Sequence, residues 1–367
     1  MTLGRGTPRR GTTGIGTPGT GALRWARRRL FGSPLDALIT LACGYALFRI
    51  VPPVLGWTLL DATWHGVSRE DCAPGGACWA FIGARLDAFL YGFYPAPERW
   101  RVRLVAALAV GLVVLALAPG VRRPPAIVPA LWLGLLAVGG ALLLGGFAGL
   151  PAVETREWGG LMLNLVVASA ASLALPFGIL LALGRRSDLK LLRTIAIITI
   201  EFWRGVPMIV VILLASIFLP LMVPEGLTVN KLAAAIVGLA LVEAAYMAEV
   251  VRGGLQAIPA GQTEAAQALG LGYWRAMALV VLPQALRVAI PGLVNEFISL
   301  FKNTTLVLIV SLFDLLGMVE PSVADPKWVD RRLEGYVFAG LIFWLICFGL
   351  SRYSVRLERR LAAAQRR

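Results

Sequence analysis

The chain is poor in the side chains on which most soluble catalysis depends. It has one histidine, His65, in 367 residues, and only 15% of its residues are charged. One imidazole cannot build an H-E-x-x-H or paired-histidine metal centre, and no G-x-S-x-G nucleophile elbow is present, so the common metal-dependent and serine hydrolase chemistries are excluded. Of the four lysines, Lys190, Lys231, Lys302 and Lys327, none follows a glycine. A G-x-x-x-x-G-K-S/T phosphate loop is therefore missing, and no ATPase domain is expected within this chain. Cysteine is scarce too. Cys43 and Cys347 lie inside apolar stretches as small packing residues. Cys72 and Cys78 bracket Ala-Pro-Gly-Gly-Ala in a turn-rich segment, where an oxidising compartment would let them close a small disulfide loop. As a metal site the two cysteines alone are poor, and no metal is expected. No repeat recurs at a period of 20–50 residues, which disfavours solenoids and propellers.

What the chain has in excess is apolar surface. Hydrophobic residues make up 58%, and the mean hydropathy is +0.75. These values describe an all-α polytopic membrane protein. Apolar stretches of spanning length lie near 36–58, 103–119, 126–147, 159–184, 194–222, 231–252, 289–316 and 336–352, giving about eight transmembrane helices. The net charge of +14 is not a nucleic-acid signature, because the arginines crowd the ends: seven in the first 29 residues and six in the last sixteen. Next to apolar spans, such clusters place both termini in the cytoplasm. Arg122–Arg123 and the group Arg185, Arg186, Lys190 and Arg193 fall on that same side. Glu154, Glu157, Glu225, Glu320 and Asp325 fall outside. Residues 1–33 read as a disordered basic tail rather than a cleavable signal peptide. Residues 34–154 read as an accessory region carrying the cysteine loop, 155–355 as the working unit, and 356–367 as a second basic tail.

The most specific segment is 264–283. It reads Glu-Ala-Ala, three residues, Gly270, nine residues, an aliphatic, one residue, then Leu282-Pro283. Ala265 and Ala266 leave the backbone accessible, Gly270 is a natural left-handed helix end, Gly272 loosens the corner, and Pro283 suits a helix entry. This pattern resembles the cytoplasmic coupling loop of bacterial ABC importer permeases, here within 253–287. Further stretches are similar to permease subunits of polar amino-acid importers: Glu201-Phe-Trp-Arg-Gly-Val-Pro207, Ala245 to Pro259, Phe301-Lys-Asn-Thr-Thr-Leu-Val307 and Phe313-Asp-Leu-Leu-Gly317. Gly76-Ala-Cys-Trp-Ala-Phe-Ile82 adds a likeness to the general L-amino-acid type with eight helices. The resemblance implies a five-helix type I importer core and coupling through Glu264, Ala265, Ala266, Leu269 and Gly270 to a dimer of ATPase subunits. It also implies a second, homologous permease and a periplasmic amino-acid-binding protein. ATP and Mg would be bound by the ATPase, with no cofactor in this chain, and the location would be the bacterial inner membrane. The sequence departs from the family pattern at Asn303, where an acid is usual, and at Glu243 and Glu296, where neutral polar residues are.

Polar residues inside the spans are candidates for a substrate pathway, since each costs insertion energy. Glu201 and Arg204, like Glu249 and Arg252, are three residues apart on one helix face, each pair followed by glycine. They read either as i,i+3 ion pairs with arginine reaching to water or as pathway groups. Asn295, Ser299, Lys302 and Asn303 recur at i, i+4, i+7 and i+8, one face of a helix bordered by Glu296. A zwitterionic L-amino acid needs a cation for its carboxylate and an acceptor for its ammonium. Lys302 suits the first, with Glu296 or Glu249 suiting the second. Alternatively Lys302 pairs structurally with Glu296 or Asp314. An ion-coupled secondary transporter is the competing function, although the chain shows none of the expected inverted-repeat symmetry.

Overall fold

The computed structural model describes residues 25–27, 29–118, 127–224 and 229–365. Arg122–Arg123, Glu225, most of the first tail and the last two arginines lie outside the described residues. Among the described residues the regular elements are helices, joined by turns and loops. The chain's contacts form two units. One unit ends at Trp64 and includes Cys72–Cys78; the other holds His65–Asp71 and everything from Trp79 onward.

In the first unit α1 (Pro34–Leu55) starts on a Ser33 cap that accepts from the Asp36 N–H, and a π turn, Gly56–Leu60, extends it. None of its residues is buried. Cys72 and Cys78 are disulfide-bonded, their Cα atoms 5.5 Å apart. Backbone bonds from Thr63 to Ala77 (2.8 Å) and from Ala77 to Trp57 (2.8 Å) fold that loop against the end of α1.

The second unit contains α2 (Trp79–Tyr91), α3 (Arg99–Leu117), α4 (Ile127–Leu144), α5 (Gly160–Ala171) and α6 (Ala174–Arg185). It continues through α7 (Lys190–Gly205), α8 (Met208–Met222), α9 (Lys231–Gln256), α10 (Ala260–Ala268), α11 (Leu282–Asn303) and α12 (Arg332–Gln365). Among the described residues each of the eight expected spans is mostly helical, the seventh only as far as Val310. Among the described residues six helical runs are long and apolar enough to cross a membrane, and the α7–α8 pair makes a seventh if it is one span. That pair is bent by 105°, so 194–222 is not the single helix the hydropathy suggests. The break has a local cause: Pro207 forces the preceding Val206 into extended backbone, which ends α7. The seventh expected span is also displaced. Helix begins at Tyr273 rather than near 289, and runs 38 residues to Val310, its last turns tightening to 3₁₀ geometry.

The centre of this unit is α9, the most deeply buried helix of membrane length. Alanine and glycine line it, so its neighbours approach closely, as membrane packing favours. A Cβ on Gly178 of α6 would lie 2.9 Å from the Ala244 carbonyl oxygen, and one on Gly254 would lie 3.0 Å from the Ala289 Cβ of α11. Two apolar clusters flank α9. One joins α6, α9 and α11 through residues such as Met247, Val251 and Leu293. The other gathers Tyr94, Leu143, Trp158 and Leu163 around Leu239 and Leu300.

A buried polar knot ties α5 to the segment after α11. The Asn164 side chain donates to Thr304 Oγ1 (2.7 Å) and Asp314 Oδ2 (3.0 Å), and accepts from the Leu315 N–H (2.9 Å). The Gly317 N–H donates to Asp314 Oδ1 (2.9 Å). All three side chains are buried. Thermal unfolding of the detergent-solubilised protein measures what this knot contributes. Asn164→Ala orphans two buried partners and is expected to cost about 2–4 kcal/mol.

Candidate functional site

The segment singled out in the sequence forms α10 and the turn behind it. Pro259 leads into α10, and Gly270 ends it with φ +81°. The Leu271 N–H returns to the Ala266 carbonyl (3.1 Å) and the Gly270 N–H to that of Gln267 (2.9 Å), satisfying the last turn. Glu264 and Ala265 are exposed, but Ala266 is buried, so only one of the two alanines presents the accessible surface expected of both. Leu269 is 83% exposed and Trp274 is 70% exposed. Two large apolar side chains of the motif are thus open to water in the isolated chain. Trp274 was not singled out from the sequence; its place inside the motif was the available signal.

The same segment is fastened to the membrane helices. Gly272 is the extended residue before a short turn, Tyr273–Ala276; a π turn, Met277–Val281, follows, and Pro283 sits in the first turn of α11. Gln284 Nε2 donates to Gln262 Oε1 (3.0 Å) and to the Val280 carbonyl (2.9 Å). α10 is thus joined to the start of α11 by a side-chain bond as well as by the chain.

Within the helices the polar residues sort into two groups. Glu249 Oε1 meets Arg185 at 2.5 Å, and Glu249 Oε2 meets Arg252 at 2.7 Å, the expected i,i+3 pair. The parallel pair Glu201–Arg204 does not form. Glu201 turns to Arg185 (3.1 Å), and Arg204 lies over the Tyr246 ring, 5.6 Å from its centroid. Arg185 thus joins α6, α7 and α9; sequence reasoning had placed it only as a positive loop residue, and its partners are remote in sequence. Deeper in, Asn303 Nδ2 donates to Glu243 Oε1 (3.3 Å), and Glu243 Oε2 is buried with no hydrogen-bond partner among the described residues. Glu296 lies within electrostatic reach of both Glu243 and Arg204.

The expected stripe on α11 is divided. Asn303 and Glu296 turn towards α9, whereas Asn295, Ser299 and Lys302 are exposed. Asn295 and Lys302 line a cleft of about 650 Å³ between α11 and α12, with Thr305, Trp344 and Ser351. Lys302 forms an ion pair with neither Glu296 nor Asp314, so the structural pairing offered as its alternative role is not made. Glu249, bound by two arginines, is a poor free acceptor for a ligand ammonium.

Residues 174–363 match a family described as the binding-protein-dependent transport system inner membrane component. The inner membrane amino-acid ABC transporter permease protein YhdY of Escherichia coli is 49% identical over 92% of this chain and 93% of its own. The glutamate/glutamine/aspartate/asparagine transport system permease protein BztC of Rhodobacter capsulatus is 37% identical over 93% of this chain and 94% of its own. A solved amino acid ABC transporter with histidines is 30% identical, covering 53% of this chain and 91% of its own, with a TM-score of 0.46.

The two glutamates of the charge network should differ in weight. Glu249 has two arginine partners and a side chain 17% exposed, while Glu201 has one partner and is 55% exposed. Glu249→Gln is expected to destabilise the protein by about 2 kcal/mol because it strands two arginines, and Glu201→Gln by less than about 1 kcal/mol. Thermal unfolding of the two purified variants in one detergent compares them.

Proposed function

Because the chain belongs to the family of inner membrane components of binding-protein-dependent transport systems, we propose that it is a permease subunit of an ABC importer carrying L-amino acids. A soluble binding protein delivers the substrate from outside. A separate pair of ATPase subunits docks on α10 from the cytoplasm and binds the ATP and Mg. The observation that carries the docking is the exposure of Leu269 and Trp274, with Glu264 and Ala265, in and just behind a helix tied to α11 through Gln262 and Gln284. The permease relatives named for amino acids, which match nearly the whole chain, support the substrate class.

A second, homologous permease completes the path. Lys302 on a lipid-facing surface would cost on the order of 2.5–3.5 kcal/mol. A partner packed over the α11–α12 cleft removes that cost and turns Asn295, Ser299 and Lys302 towards a central pathway. There the Lys302 ammonium meets a substrate carboxylate, while Glu296 and the Asn303–Glu243 pair supply acceptors nearer α9. The coupling loop on the cytoplasmic side puts both termini in the cytoplasm and the Cys72–Cys78 loop in the periplasm, where a disulfide persists.

Proteoliposomes holding this chain, its partner permease and ATPase, with binding protein outside and ATP inside, test the reading. ATP-dependent accumulation of labelled L-amino acids is expected; accumulation that ignores ATP and follows an ion gradient overturns it. Gly270→Val forces a β-branched residue into positive φ, and is expected to leave the chain in the membrane while ATP hydrolysis no longer drives uptake. Lys302→Ala is expected to lower uptake about tenfold or more, the worth of one charge-assisted hydrogen bond, with assembly intact. Unchanged uptake kinetics would remove Lys302 from the pathway.

A further inference from the structure

We propose that α7 does not cross the membrane but lies in its cytoplasmic interface, with its exposed apolar stripe in the acyl boundary and Lys190 and Arg193 on anionic lipid headgroups. The inference rests on the orientation proposed above.

Geometry is the first support. The 16 residues of α7 span about 24 Å and the 15 of α8 about 22 Å. Neither matches a hydrocarbon core of about 30 Å alone. α8 packs along the central α9. With α8 standing along the membrane normal, a bend of 105° leaves α7 within about 15° of the membrane plane. At about 22 Å, α8 is a few residues short of the hydrocarbon core, a mismatch that local thinning of the bilayer accommodates. Hence α8 crosses by itself, and α7 is spare.

The faces of α7 are the second support. Leu191, Ile195, Ile198 and Phe202 recur at i, i+4, i+7 and i+11, one continuous stripe, and all four are more than half exposed. The inward face is a different one, carrying Ala196 and Ile200, both buried against the bundle. Lys190 and Arg193 occupy the remaining polar side near its start; both are exposed and neither is in an ion pair among the described residues. An apolar stripe flanked by basic residues, on a helix parallel to the bilayer, is the arrangement of an interfacial helix. The cytoplasmic leaflet supplies the complementary negative charge. Basic residues at the start of α7 would suit a spanning helix as well; the turn at Pro207 and the exposed stripe along the whole of α7 are what set it apart.

Nitroxide depth measurements on the assembled transporter test this. Single cysteines, Leu191→Cys, Ile195→Cys, Ile198→Cys and Phe202→Cys, are placed in a Cys43→Ser, Cys347→Ser background and reconstituted in phosphatidylethanolamine liposomes with phosphatidylglycerol. Oxygen and water-soluble nickel quenching are expected to give one common depth for all four, roughly 5–10 Å into the headgroup and acyl boundary. A depth that grows steadily by about 16 Å from Leu191 to Phe202 marks a spanning helix and overturns the proposal. Labels that are immobilised and shielded from both quenchers mark a protein partner on the stripe and also overturn it. In a second arm, a bimane at Ile195→Cys is quenched by brominated phosphatidylglycerol or brominated phosphatidylcholine. Preferential quenching by phosphatidylglycerol is expected, up to roughly fivefold per basic side chain, falling to parity in Lys190→Gln, Arg193→Gln. Parity already in the unsubstituted protein would overturn the headgroup assignment. Uptake is measured on the same liposomes, so loss of ATP dependence with a common label depth would count against the importer reading and not against the placement of α7.

Discussion

Hydrocarbon offers no hydrogen bonds, and the structure is organised by that refusal. Each polar group carried into the bilayer region has to be met by protein. Asn164 is met three times over, by Thr304, Asp314 and the Leu315 N–H. Glu249 is met by arginines from two helices. Even the helix break between α5 and α6 is covered, because Ser172 bonds the Ser169 carbonyl and accepts from the Trp132 indole of α4. Where the protein leaves polar atoms unmet, as at Lys302 and Asn295 on the outward face of α11, the shortfall points to another chain or to water.

The same constraint explains why α9 is built from small residues. Its neighbours contribute the polar partners, and they reach only if the backbones come close. Gly254 and Gly178 allow that approach, and the charge network of Arg185, Glu201, Glu249 and Arg252 then falls within ion-pair distance. Small residues and ion pairs are two aspects of one packing solution. Between α9 and α11 that approach is made at Gly254, where an added Cβ would lie 2.5 Å from the Ala285 carbonyl oxygen and 3.0 Å from the Ala289 Cβ.

The sequence disclosed what depends on neighbours in the chain. Helix locations followed hydropathy, and the left-handed end at Gly270 followed from residue type. The pairing of Glu249 with Arg252 followed from spacing. What escaped depends on contacts between distant segments. Glu201 and Arg204 have the same spacing as Glu249 and Arg252, yet Arg185 offers a closer partner across the α6–α7 turn and Tyr246 takes the arginine. Hydropathy reported 194–222 as one span because it averages over Pro207 and is blind to a bend. The division of the α11 stripe was hidden for a related reason: Asn303 and Lys302 are consecutive, and only the position of α9 decides which of them faces inward.

The helical run from Tyr273 to Val310 is longer than the membrane is thick. Its 38 residues measure about 57 Å against a hydrocarbon core of about 30 Å. Roughly half of it therefore stands outside the hydrocarbon, and the close approach of Gly254 to Ala285 and Ala289 grips it near its midpoint. The segment behind α10 and the turns that reach the far surface are thus lengths of one backbone, anchored once, rather than separate elements joined by a loop.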